Sequence, residues 1–113
     1  MSDCIFCKIA AGEIPSKKAY EDDRVLAFYD LDPQAPVHIL IIPKEHIASA
    51  AEITEDNSSV AAHIFEVAAR LAKELGLDGG FRLVANTGAD GGQTVQHLHV
   101  HLLGGRSMKW PPG

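Results

Sequence analysis

Three histidines at strict period two, His97, His99 and His101, alternate with Leu98, Val100 and Leu102 near the end of this chain. Successive side chains of a β-strand point to opposite faces. The segment therefore predicts a strand with imidazoles on one face and aliphatic groups on the other. The aliphatic face needs a packing partner. The imidazole face would be costly to bury without hydrogen-bond partners, so it predicts a polar, functional surface. Three of the six histidines fall within five residues, which argues against an accidental cluster on a solvated edge. A three-histidine metal site is the other reading. It needs ligands converging on one point, whereas same-face residues on a strand stand several ångströms apart.

The packing partner is legible upstream. Val60, Ile64, Val67, Leu71 and Leu75 recur at three- and four-residue spacing and predict a helix over residues 54–75. Thr54 or Asp56 is its expected cap, and Gly76 its expected left-handed stop. A shorter helix is expected over 46–51. Residues 18–21 and 24–31 flank a turn and predict a hairpin, and 38–42 read as a buried strand closed by Pro43. Residues 81–86 and 96–103 complete the β-pattern. One antiparallel sheet packed by one main helix gives a single α+β domain over residues 1–113.

Several function classes are excluded or disfavoured. A formal net charge of −5 argues against nonspecific nucleic-acid binding, which needs a basic surface. No apolar run approaches the ~18 residues of a membrane span. The opening Met1-Ser2-Asp3-Cys4 lacks a basic region followed by an apolar stretch, so the expected compartment is the cytoplasm. A small anionic ligand remains compatible with this charge, because backbone N–H groups and histidines can hold one phosphate. Gly88, Gly91 and Gly92, with the donors Asn86 and Thr94, form a loop of that kind directly before the histidine strand.

Cys4 and Cys7 are the only cysteines. In a reducing compartment C-x-x-C is more often a metal half-site or redox pair than a structural disulfide. No strand precedes the pair, which favours metal over a thioredoxin-like arrangement.

The sequence resembles the histidine-triad (HIT) superfamily, whose signature is His-x-His-x-His with apolar residues between. It is most similar to the histidine-triad nucleotide-binding (Hint) branch of purine nucleoside phosphoramidases. The supporting segments include Glu13-Ile14-Pro15, Phe28-Tyr29-Asp30, Pro33-Gln34-Ala35-Pro36, Asp90-Gly91-Gly92-Gln93, Gly104-Gly105-Arg106 and Trp110-Pro111-Pro112-Gly113. The resemblance implies a sheet of about five strands with one long and one short helix, pairing into a homodimer with a joined sheet. It implies that His99 attacks an α-phosphorus to form a nucleotidyl-histidine, with His101 and His38 assisting. Asp30 would accept the ribose hydroxyls. Ile5, Phe6, Ile9, Ile14, Phe28 and Leu31 would enclose the base, while Asn86, Gly92 and Thr94 would contact the phosphate or leaving group. Trp110 would lie in a tail reaching the partner's site. Thr94 stands where the family often has serine, which keeps the hydroxyl but restricts its rotamer. In related branches Cys4, Cys7, His46 and His97 would hold a structural zinc that catalysis does not require. Rival functions are a dinucleoside polyphosphate hydrolase, a nucleotide-binding regulatory partner, or a small zinc-binding adaptor.

Overall fold

The computed structural model describes residues 3–113, so the reading of Met1 and Ser2 lies outside the described residues. The element order is α1 (Ile5–Ala10), β1 (Lys18–Glu21), β2 (Val25–Tyr29), β3 (Val37–Pro43), α2 (Ser58–Glu74), β4 (Phe81–Val84) and β5 (Val100–Gly104). The five strands form one antiparallel sheet in the order β1-β2-β3-β5-β4, so β5 enters between β3 and β4.

Alternation along the strands sorts the core into two layers. Val25, Ala27, Ile39, Ile41, Val100 and Leu102 pack with Val60, Ile64, Val67, Ala68 and Leu71 of α2. Leu26, Phe28, Leu40 and Ile42 face the other way and pack with Phe6 and Ile9 of α1. Because both faces are covered, β2 and β3 read as nearly continuous apolar runs. Each fully buried aliphatic side chain contributes about 1.5–3 kcal/mol of burial free energy. The α2 stripe and Leu98, Val100 and Leu102 meet as the periodicity predicts.

Several elements differ from the sequence reading: the strands expected over 24–31 and 81–86 are shorter, Val25–Tyr29 and Phe81–Val84, and four differences are larger. α1 is a helix that the sequence reading did not assign, begun where Cys4 Sγ accepts the Cys7 N–H at 3.3 Å. Residues 46–51 are not helical; only Ala50–Glu52 closes a 3-10 turn, because the Ile47 carbonyl accepts the Leu98 N–H instead. α2 begins at Ser58 and not at 54. Thr54 N–H donates to Asn57 Oδ1 and Asp56 N–H to Thr54 Oγ1, local bonds that compete with helix. The β5 ladder begins at Val100, short of the expected 96. Pro43 ends β3 without an N–H, and its carbonyl accepts from His97 Nε2 at 2.8 Å. The far end of α2 is as read. Gly76 has φ +71°, and the Leu77 and Gly76 N–H groups donate to the Ala72 and Lys73 carbonyls in a Schellman arrangement.

His63 ties α2 to the first hairpin through a 2.6 Å contact from Nε2 to Asp22 Oδ2. Burial alone would raise the Asp22 pKa. Bonds from His63, from the Arg24 and Val25 N–H groups and from Tyr20 outweigh it and hold the carboxyl below its ordinary range. No helix among the described residues is long and apolar enough to cross a membrane.

Candidate active site and metal centre

The side of the sheet away from α2 carries the polar residues. Register pairs Leu40 with His101 and His38 with Leu103 across β3 and β5, so His38 and His101 share this face. The α1 helix roofs part of it. Phe6 sets its ring edge-on to His99, with centroids 5.1 Å apart, and to Phe28 at 5.7 Å. The result is a cleft of about 350 Å³ whose walls include Ile5, Phe6, Ile9, Ile14, Phe28, Asp30, Leu31, Thr94, His99 and His101. These ten residues of the sequence-derived set are brought together. Asn86, Gly92 and Trp110 are not in this lining; Trp110 is 82% exposed, and the Gly92 N–H donates to the Ala89 carbonyl. Leu40, Tyr29 and Val95 also line the cleft and were not singled out from the sequence. Leu40 was findable by its alternation with His38.

Each imidazole has partners that fix its protonation. His99 is buried, and its Nδ1 lies 2.7 Å from the His97 carbonyl oxygen, which can only accept. Nδ1 therefore carries the proton, and Nε2 holds a free lone pair. The Gln34 N–H can only donate, and it points at His38 Nδ1 at 3.0 Å. His38 accordingly carries its proton on Nε2 and donates to His101 Nδ1 at 2.9 Å. His101 in turn keeps its proton on Nε2. Burial pushes the His38 pKa down, and burial reinforced by the charges of His99 and His38 takes His101 to about 4. Asp30 Oδ2 stands 3.4 Å from His38 Nε2, and Oδ1 accepts the Asp32 N–H.

The glycine loop is held by its neighbours. A Cβ on Gly91 would overlap the Thr87 carbonyl oxygen, so glycine is required there. Gln93 Oε1 accepts the Gly88 N–H, and its Nε2 donates to the Ala48 and Val95 carbonyls, fixing the chain beside Thr94.

Cys4, Cys7, His46 and His97 form a second cluster behind the cleft, their ligand atoms all within 4.8 Å of one another. Cys4 Sγ lies 3.3 Å from His97 Nδ1, and Cys7 Sγ lies 3.3 Å from His46 Nδ1. Tetrahedral zinc, bonded at ~2.3 Å to sulfur and ~2.0–2.1 Å to nitrogen, separates its ligand atoms by about 3.3–3.8 Å. The set fits. The His97 Nε2–H donates to Pro43, which turns the Nδ1 lone pair towards the sulfurs as a ligand must. Burial, followed by the bond to Cys4, raises the Cys7 thiol. None of the four side chains lines the cleft beside His99.

An α+β sheet with alternate histidines on and just before its inner strand, two of them lining an apolar cleft, defines a histidine-triad protein. The chain belongs to the HIT domain family, whose profile matches residues 11–108. It is similar to a HIT family hydrolase of Legionella pneumophila, with 54% identity and a TM-score of 0.96 over 98% of this chain and 100% of that one. A histidine triad nucleotide-binding protein of Candida albicans superposes with a TM-score of 0.82 at 38% identity, covering 96% of this chain and 83% of that chain. Among curated relatives, a 14 kDa zinc-binding protein of Brassica juncea is 50% identical over 113 residues, covering 98% of this chain and all of the relative.

Proposed function

We propose that the protein is a cytoplasmic nucleoside phosphoramidase, acting as one domain over residues 1–113. It cleaves the P–N bond of adenylate joined to an amine. The observation that carries this reading is the tautomer of His99: the His97 carbonyl holds the proton on Nδ1, so Nε2 is an unprotonated nucleophile facing a nucleoside-sized cleft. In the first step the Nε2–P bond forms and the P–N bond breaks. The departing amine takes a proton from the His38–His101 pair. The pair takes up that proton from solvent as the anionic phosphate binds beside it, Asp30 stabilises the added charge, and transfer to the amine returns the pair to neutral. In the second step water attacks the nucleotidyl-histidine, returns one proton to the pair and releases AMP. The apolar walls suit a purine, and the Asp30 carboxylate in the lining would accept from ribose hydroxyls. Asn86 and Gly92 would have to act through movement of their loop, since neither borders the cleft at rest.

Fluorogenic adenosine 5′-phosphoramidate and a diadenosine polyphosphate, supplied separately, test this. Phosphoramidate should turn over at least tenfold faster, and intact mass should record an adenylyl adduct. A preference for the polyphosphate would move the assignment to that substrate class.

The same reading includes a homodimer. β4 is an open sheet edge, Phe65 and Phe81 are exposed at 59% and 43%, and a cavity of about 610 Å³ lies beside that edge between Phe81 and Met108. Light scattering at micromolar concentration should give twice the 12.1 kDa chain mass, and a monomer would remove this part of the reading.

A further inference from the structure

We propose that Arg106 and the Gln34 peptide form a clamp that sets the tautomer of the His38–His101 pair, which makes Arg106 a positioning residue for the reaction. This rests on the reading of the cleft given above. β5 carries His101 and ends in the turn Gly104–Arg106, while the loop 33–36 leads into β3 and His38. The turn and the loop grip each other at two points. Arg106 Nε donates to the Gln34 carbonyl at 3.0 Å, and its second guanidinium arm donates to the Ser107 carbonyl, which fixes its direction. Gly105, at φ +90°, lies so close to Pro36 that a Cβ there would sit 2.9 Å from the proline Cβ.

The consequence lies in the preceding peptide unit, Pro33–Gln34, across the Gln34 Cα. With its carbonyl tethered, Gln34 aims its N–H at His38 Nδ1, and an N–H donor at that nitrogen leaves Nε2 as the only place for the neutral ring's proton. His38 Nε2–H then occupies His101 Nδ1, and His101 must present Nε2–H to the cleft. Without the clamp, either nitrogen of His38 could hold the proton, and half of those arrangements turn a lone pair of His101 towards the departing amine. Two prolines in the loop stiffen it but supply no donor, so its position is set by the Arg106 contact together with the Gly105–Pro36 packing and the Gln34 Nε2 bond to the Asp32 carbonyl. The groups facing His101 are His99, His38 and Asp30; those facing His38 are His101, Asp30 and Asp32.

The test is imidazole nitrogen NMR on the wild type, Arg106→Ala and Arg106→Lys, with kcat, KM and the pH profile measured on the same samples. The wild type should show His38 protonated on Nε2. Arg106→Ala should mix the two His38 tautomers and lower kcat by ~10-fold, part of what a positioned proton donor supplies. It should displace the acid limb of the pH profile and leave KM within about twofold. Arg106→Lys, which retains a donor of different shape, should fall between. A wild-type His38 protonated on Nδ1, or an Arg106→Ala protein with unchanged tautomers, overturns the clamp. The nitrogen spectra need no turnover. Mixed tautomers in a protein that cleaves no phosphoramidate would uphold the clamp while sinking the assigned reaction.

Discussion

His99→Ala is expected to lower phosphoramidate turnover by ~10⁴-fold or more, the scale on which loss of a covalent nucleophile acts in other hydrolases. The adenylyl adduct should vanish with it. AMP affinity should stay within a few-fold, because the apolar walls and Asp30 are untouched and only one ring leaves the lining. Phe6 loses its edge contact with His99, so a small fall in melting temperature accompanies the change. His38→Ala should cost less than His99→Ala, since it removes a partner of the proton donor and leaves the nucleophile's own bond to His97 intact. Turnover of His99→Ala within tenfold of wild type would show that another group attacks phosphorus. A mutant that also fails to bind AMP would show that His99 builds the cleft as much as it reacts in it.

The histidine positions were legible because period two assigns faces whether or not a formal ladder is present. His97 and His99 precede the first residue of β5, yet Leu98 packs with Val100 and Leu102 against α2, as alternation requires. That Ile5, Phe6 and Ile9 share one cleft with His99 was legible only through family resemblance. Ile5, Phe6 and Ile9 sit on a helix of six residues, too short to show a periodic stripe, and its cap is a cysteine sulfur and not one of the usual oxygen caps. The clamp was invisible. It acts through the backbone groups of Gln34, which no side-chain pattern encodes, and it depends on a turn and a loop brought together by strand order. Gln93 illustrates the same limit. Its amide serves three backbone partners from two separate segments, a role read only from coordinates.

Removing the Cys2His2 centre is expected to have the largest effect on stability. Cys4→Ser together with Cys7→Ser should abolish zinc in the purified protein and lower the melting temperature by more than ~10 °C. That corresponds to roughly 2 kcal/mol or more for a domain of this size. The estimate is far below the ~10–16 kcal/mol of zinc-finger peptides, because the α2 layer supplies an independent core that those peptides lack. The loss should be local. Cys4 caps α1, His97 anchors the end of β3 through Pro43, and His46 fixes the segment beside Gln93, so three chain segments are held at one point. The layer formed by Phe6 and Ile9 over β2 and β3 should loosen first, visible as faster amide exchange in α1 while α2 stays protected. Because no ligand side chain borders the cleft, chelator-treated protein at low temperature should retain most of its kcat and show a raised KM as the roof of the base pocket loosens. Native mass spectrometry of freshly purified protein decides the premise. One zinc per chain, lost with chelator in step with the fall in melting temperature, is the expected result. Protein that never carries metal and melts identically with and without chelator would leave Cys4 and Cys7 as a capping thiol and its neighbour.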